Sequence, residues 1–260
     1  MPSARPNLTV GQTAARHPTS GEAKGKVGQK MRNSVIAACA MLVCGAAITA
    51  AGMVKPPAEP WLNPGETLVC FGDSITASER MYIRYLREAL EPKGVKVVNA
   101  GLSGDKTPMA LTRVKDVLEK KPDAVMLFFG ANDSLVGRGR WRDEPKVSPE
   151  GYRDNLLWII HYFRMRGVKK FSVVAPPGCC EGKSLLEFGY ACPPYAGMAR
   201  EVADQMDAVP VSLDIAFAAE QRKLADNPMT SVLTRDGVHF NEKGSKLAAE
   251  TMLRAWNMDK

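Results

Sequence analysis

Ser74 closes the run Leu68-Val69-Cys70-Phe71-Gly72-Asp73-Ser74, where an apolar strand stops at a small-residue turn and presents one hydroxyl. Near the other end of the chain, Asp236 and His239 stand three residues apart in Asp236-Gly237-Val238-His239. A hydroxyl, an imidazole and a carboxylate are the minimum set for nucleophilic acyl transfer. Serine is a poor nucleophile at neutral pH, so the imidazole must take its proton while the carboxylate orients the ring and stabilises the imidazolium. A spacing of three lets Asp236 and His239 emerge from one turn and meet.

The elements that must position these groups alternate along the chain. Short β-rich runs at 67–71, 95–99, 124–129, 170–174 and 209–213 are separated by helical patterns at 81–91, 106–120, 149–166, 196–207 and 216–225. A last helix spans 242–256, with Asn241 as its N-cap. Continuous apolar strands such as Val125-Met126-Leu127-Phe128-Phe129 belong in a parallel sheet covered on both faces. The predicted fold class is therefore α/β: a three-layer α/β/α sandwich around a mainly five-stranded parallel sheet. Ligands of such sheets bind outside the carboxyl ends of the strands.

Two more turns fall at that edge. The second strand runs into Asn99-Ala100-Gly101-Leu102-Ser103-Gly104-Asp105-Lys106-Thr107, and the third into Gly130-Ala131-Asn132-Asp133-Ser134. Singly, each motif has a plain structural account: a capping serine, a glycine-bearing turn that cradles phosphate, a capping asparagine, a local Asp-x-x-His hydrogen bond. Their shared place on one sheet edge, after strands one, two and three and before the last helix, argues for a single site.

These residues resemble the SGNH, or GDSL-type, hydrolase superfamily over the whole domain. Gly72-Asp73-Ser74-Ile75-Thr76 is similar to its first block, Ser103-Gly104-Asp105 to its second, Gly130-Ala131-Asn132-Asp133 to its third, and Asp236-Gly237-Val238-His239 to its fifth. The likeness implies a flavodoxin-like fold, Ser74 as nucleophile, His239 as base and Asp236 as its carboxylate partner. It further implies an oxyanion hole built from the backbone N–H groups of Ser74 and Gly104 and the side-chain amide of Asn132. Ile75, where Leu is common, and Phe240, where Pro is frequent, depart from the pattern without removing a functional group. The expected activity is that of a serine esterase working on short acyl or O-acetyl groups of a carbohydrate or small alcohol, with no cofactor and no metal. No long apolar stretch suggests a deep fatty-acyl channel. A lysophospholipase or thioesterase of the same fold is the alternative.

Two readings from other classes are weaker. A P-loop needs Gly directly before Lys-Ser/Thr, whereas Asp105 precedes Lys106 and would repel phosphate. A carbohydrate-binding protein without turnover is disfavoured because every catalytic group is present.

The first fifty residues differ from the rest. Residues 1–33 carry six basic side chains (Arg5, Arg16, Lys24, Lys26, Lys30, Arg32) against Glu22 and lack apolar periodicity, so they read as disordered. They account for most of the +7 net charge, which excludes a nucleic-acid footprint on the domain. Residues 34–54 are uncharged and read as a signal peptide or a retained membrane anchor, so the protein is expected to be exported, with membrane contact only if the segment is kept. Met31-Arg32-Asn33 is the expected start of translation. Lipidation at Cys39 is disfavoured because little apolar sequence precedes it. Residues 55–65, with four prolines, form a linker, and the hydrolase domain occupies 66–260.

Among the cysteines, Cys70 reads as a small buried apolar residue, and export permits a disulfide from Cys192 to Cys179 or Cys180. His17 falls in the basic segment, and His161 reads as a packed or surface histidine. The loop bearing Trp141 reads first as a solvated surface loop and second as a pocket wall, and the segment with Tyr190, Pro193, Pro194 and Tyr195 is a second candidate wall.

Overall fold

The computed structural model describes residues 56–135, 144–177, 181–182, 191–225, 227 and 230–259. The chain divides into Met1–Met53 and Val54–Lys260, and the described residues all belong to the second unit. Its strands are β1 (Thr67–Gly72), β2 (Lys96–Gly101), β3 (Ala124–Phe128), β4 (Lys170–Ala175) and β5 (Val209–Ser212). All pair in parallel, in the order β2-β1-β3-β4-β5. This is the flavodoxin-like winding, in which the chain reverses direction across the sheet between β1 and β3.

The helices are α1 (Ser74–Ala77), α2 (Tyr82–Leu90), α3 (Thr107–Thr112), α4 (Val114–Leu118), α5 (Pro149–Arg164), α6 (Pro193–Gln205), α7 (Leu213–Leu224) and α8 (Glu242–Ala255). Strand periodicity divides them into two layers. On β1, Leu68 and Cys70 face a core shared with α2, α7 and α8, while Val69 and Phe71 face a core shared with α3 to α6. Every residue of β3 is buried, as a central strand covered on both sides requires. The three-layer α/β/α sandwich expected from the sequence is the observed fold.

Four details differ from expectation. The helix expected at 106–120 is broken at Arg113 (φ −117°, ψ 16°), which separates α3 from α4. Helix α6 starts at Pro193 rather than 196, because Pro193 and Pro194 occupy a first turn whose N–H groups have no intrahelical partner. The four-residue α1 is too short to leave a periodic signal. The core also begins before residue 66. Trp61 and Leu62 are buried, the Trp61 ring lies 5.2 Å from that of Trp256, and the Trp61 backbone N–H donates to the Trp256 carbonyl at 2.9 Å. The prolines around them extend the backbone while these two side chains pack, so the end of the expected linker belongs to the domain. Burying side chains of this size contributes about 2 kcal/mol each.

Asn241 caps α8 as expected, accepting from the Gly244 N–H at 3.0 Å. Among the described residues no helix is long and apolar enough to cross a membrane. The segments 1–33 and 34–54 lie outside the described residues.

Candidate active site

The site begins where β1 ends. Gly72 has no room for a side chain: a Cβ there would stand 2.1 Å from Thr76 Oγ1 and 2.6 Å from the Phe128 carbonyl oxygen. Its smallness lets the chain turn at once into α1, with Asp73 as N-cap accepting from the Ile75 N–H at 2.9 Å. Ser74 is thereby the first residue of the turn, partly exposed at the sheet edge. Its neighbours follow from register. Gly72 pairs with Gly101 of β2 and with Phe128 of β3, so the turns after all three strands leave the sheet side by side. A Cβ on Gly101 would meet the Ala77 nitrogen at 2.3 Å, so this position too must stay bare for α1 to pack.

Ser74 and His239, 165 residues apart in sequence, meet at 2.9 Å between Oγ and Nε2. On the other side of the ring, His239 Nδ1 lies 2.7 Å from Asp236 Oδ2. Asp236 Oδ1 accepts the backbone N–H groups of His239 at 2.7 Å and Val238 at 3.0 Å. Partial burial pushes the Asp236 carboxyl upward, but these hydrogen bonds and the neighbouring imidazole outweigh it and hold the group below the usual carboxylate range. An ionised acceptor at Oδ2 places the ring proton on Nδ1, leaving Nε2 to accept from the Ser74 hydroxyl. The three residues singled out by spacing therefore form a continuous relay from hydroxyl to carboxylate.

The two expected oxyanion donors lie on the adjoining turns. Gly104 has φ +85°, a left-handed conformation that favours glycine, and no acceptor engages its N–H or that of Ser74 among the described residues. One N–H of the Asn132 amide donates to the Asp105 carbonyl at 3.0 Å, which orients the amide and leaves its second N–H to offer. A carbonyl oxygen that gains negative charge is stabilised by donors fixed in this way before reaction.

Sequence reasoning missed the side chains beneath these turns. Arg113 donates to the Gly72 carbonyl at 3.0 Å, to the Ala100 carbonyl at 2.8 Å and to Asp105 Oδ2 at 2.5 Å, with its guanidinium 4.6 Å from the centre of the Phe71 ring. One planar fork thus clamps the ends of β1 and β2 and the turn after β2. Asp133 is fully buried and accepts from the Thr107 N–H at 2.9 Å and its hydroxyl at 2.5 Å, joining the turn after β3 to α3. Burial raises its pKa against the effect of those bonds, and Oδ2 has no hydrogen-bond partner among the described residues. Asp73 is buried as well, and desolvation pushes its carboxyl up to about 8. None of these contacts leaves a periodic trace, since each depends on three-dimensional approach.

The remaining expectations have different outcomes. Lys106, the residue on which a phosphate loop would depend, is buried and donates to the carbonyls of Pro145 at 2.6 Å, Leu135 at 2.8 Å and Glu144 at 3.2 Å. Its ammonium is turned inward, against a phosphate-binding role. Tyr195, taken as a pocket wall, is instead packed in the core beside Tyr152, because α6 begins earlier than expected and its hydroxyl donates to the Val147 carbonyl at 2.5 Å. Cys70 is fully buried, and burial pushes its thiol up to about 12. His161 lies on the surface of α5 against Trp158. The described residues hold no group of three or more potential metal ligands. Cys192 is buried, with the Ser134 hydroxyl 3.2 Å from its sulfur. Cys179, Cys180, Trp141 and Tyr190 lie outside the described residues, and with them the expected disulfide and loop walls.

A parallel sheet carrying a hydroxyl–imidazole–carboxylate relay at its carboxyl edge is an architecture suited to ester hydrolysis. Residues 70–247 match the model of the GDSL-like lipase/acylhydrolase family, and the chain belongs to that family. It is 30% identical over 216 residues to the uncharacterised lipoprotein YqeF of Bacillus subtilis, covering 71% of this chain and 87% of that protein. It is 25% identical over 219 residues to an acetylxylan esterase of Geobacillus stearothermophilus, covering 74% and 94% of the two. A solved structure of the acetylxylan esterase Axe2 from that organism superposes with a TM-score of 0.63 at 24% identity, over 75% of this chain and 95% of that one. An isoamyl acetate-hydrolyzing esterase 1 homolog of Rattus norvegicus is 30% identical over 202 residues, covering 69% and 76%. The chain is accordingly an enzyme of the carboxylic ester hydrolase class.

Proposed function

We propose that the protein is a serine esterase that removes short acyl groups, acetyl above all, from a carbohydrate or small alcohol. The observation that carries this reading is the unbroken relay from Ser74 Oγ through His239 to Asp236, at 2.9 and 2.7 Å. In the first half-reaction Ser74 Oγ attacks the ester carbonyl carbon while His239 Nε2 takes the hydroxyl proton, and Asp236 stabilises the imidazolium. Negative charge moves onto the carbonyl oxygen, which the N–H groups of Ser74 and Gly104 and the Asn132 amide receive. The tetrahedral intermediate expels the alcohol, which takes the proton from His239, and an acyl group remains on Ser74. Water, deprotonated by the same imidazole, then attacks the acyl carbon, and collapse of the second intermediate returns that proton from His239 to Ser74 Oγ and releases the acid.

The preference for acetyl rests on two supports outside the relay. Two of the relatives above are named for acetyl esters, and residues 66–260 contain no long apolar stretch that suggests a fatty-acyl channel. Export through residues 34–54 is part of the proposal, in line with a relative named as a lipoprotein. Steady-state hydrolysis of p-nitrophenyl esters tests the reading. The full chain should turn over acetate faster than decanoate, and Ser74→Ala should abolish hydrolysis of both. The reverse order of chain lengths would favour a lysophospholipase or thioesterase, and undiminished hydrolysis in Ser74→Ala would reject the role of Ser74.

A further inference from the structure

Glu181 takes no part in the relay, yet its carboxylate is almost entirely buried, at 2% exposure, against the segment that leads into the Asp236–His239 turn. Its Oε2 accepts from the Thr234 hydroxyl at 2.6 Å and the Thr234 N–H at 2.9 Å. The Leu233 N–H is shared between Oε1 at 3.1 Å and Oε2 at 3.2 Å. Thr234 passes the connection on, because its Oγ1 accepts from the Gly237 N–H at 3.1 Å, between the two relay residues. Gly237 has φ +86°, so the turn bends sharply at the point where it is tethered.

The carbonyl side of the same segment is held from α8. The Asn241 amide donates to the Val232 carbonyl at 3.0 Å and the Thr234 carbonyl at 3.4 Å, and the Asn241 N–H donates to the Leu233 carbonyl at 3.0 Å. Within the turn, the Arg235 N–H donates to the His239 carbonyl at 2.8 Å. Asn241 supplies donors and belongs to the helix that follows His239. Glu181 supplies acceptors and comes from a distant part of the chain, so it ties the turn to the segment after β4.

We propose that Glu181 is a positioning residue for the Asp236–His239 turn, acting through the Thr234 hydroxyl and the Gly237 N–H to set where the carboxylate meets the imidazole. The proposal rests on the reading of Ser74, His239 and Asp236 as the catalytic relay. Its chemistry is specific. Every contact is a donation to Glu181, so the site demands a side chain that only accepts. Glutamine has nearly the same shape but turns an NH2 group towards donors, and a buried donor left facing a donor is costly. A residue that merely filled space would tolerate that exchange.

The test compares Glu181→Gln, Thr234→Val and Thr234→Ser in the full chain, with kcat and KM on p-nitrophenyl acetate and circular dichroism melting curves for each. Glu181→Gln and Thr234→Val should lower kcat roughly 10- to 100-fold while KM stays within about twofold, the signature of a displaced catalytic group. Thr234→Ser, which keeps the hydroxyl, should retain most of kcat. Wild-type kcat in folded Glu181→Gln overturns the proposal. If that variant does not fold, the threonine pair decides: equal kcat in Thr234→Val and Thr234→Ser overturns it. A loss in either variant that disappears on assay well below its melting temperature also overturns it, because stability alone would then account for the effect. Ser74→Ala separates the two levels of inference. Full activity there rejects the relay itself, whereas an inactive Ser74→Ala beside a fully active Glu181→Gln rejects only the positioning role.

Discussion

Arg113 Nη2 donates to the carbonyl oxygen of Gly72 at 3.0 Å, reaching from the break between α3 and α4 to the last residue of β1. The same guanidinium pairs with Asp105, whose side chain is only 3% exposed, so the two charges satisfy each other in a largely dry site. Arg113→Ala would strand the Asp105 carboxylate and release two strand-end carbonyls. Urea unfolding should show a loss of about 3 kcal/mol or more, with kcat reduced in the fraction that remains folded. Arg113→Lys should recover little, since one ammonium cannot match a planar fork that reaches three acceptors. Wild-type stability in Arg113→Lys would contradict the clamp.

Asn132→Ala removes the amide expected to meet the developing oxyanion. Turnover of p-nitrophenyl acetate should fall roughly 100- to 1,000-fold with little change in KM, because the donor matters more to the transition state than to the bound ester. A rise in KM at unchanged kcat would assign Asn132 to ground-state binding instead.

Asp73 gives the fold a pH signature. Its carboxyl is raised to about 8 in the folded protein, against about 3.9 in an unfolded chain. The native state therefore keeps a proton that the unfolded state sheds, so the contribution of Asp73 to stability is complete below pH ~4 and declines as pH rises towards 8. Asp73→Asn keeps an oxygen to accept the Ile75 N–H and removes the titration. Its unfolding free energy should change less between pH 5 and 8 than that of the wild type, with a gain on the order of a few kcal/mol at pH 8. Parallel curves for the two proteins would show that Asp73 does not hold its proton in the fold.

Activity should respond to acid through the base and not through its carboxylate partner. Hydrogen bonds from the His239 turn hold the Asp236 carboxyl below the ordinary carboxylate range. Asp236 therefore stays ionised as pH falls through the interval where imidazoles as a class protonate, around pH 6.5. Its contribution to stability is present above pH ~3.9 and is lost only as pH falls through its lowered value. The acid limb of kcat/KM should thus have unit slope, without a matching loss of folded protein by circular dichroism. A flat profile from pH 5 to 8 would argue against an imidazole base.

Much of this arrangement was legible in the chain because it rests on local pattern. The five strands stand out as short β-rich runs, the central one continuously apolar, and their alternation with amphipathic helices specifies parallel pairing. Ser74, Asn132, Asp236 and His239 could be placed at one edge from that alternation alone. Arg113 could not be read, since it sits in a helical pattern while its three acceptors lie on other elements. Asp105 before Lys106 argued against a phosphate loop, but nothing local reveals that Lys106 turns inward to the carbonyls of Leu135, Glu144 and Pro145. Tyr195 read as a loop aromatic for the same reason: the prolines before it open a helix rather than extend a loop. Side chains that act on their own turn are visible in sequence, and those that bridge distant turns become visible only once the fold brings them together.

The central claim, that Ser74 is the attacking group, is tested most directly by labelling the full chain with a fluorophosphonate and mapping the adduct by peptide mass spectrometry. One phosphonyl group on the peptide containing Ser74 is expected, with labelling strongly slowed in His239→Ala. Stoichiometric modification of any other residue, or equal labelling of Ser74→Ala, would contradict it.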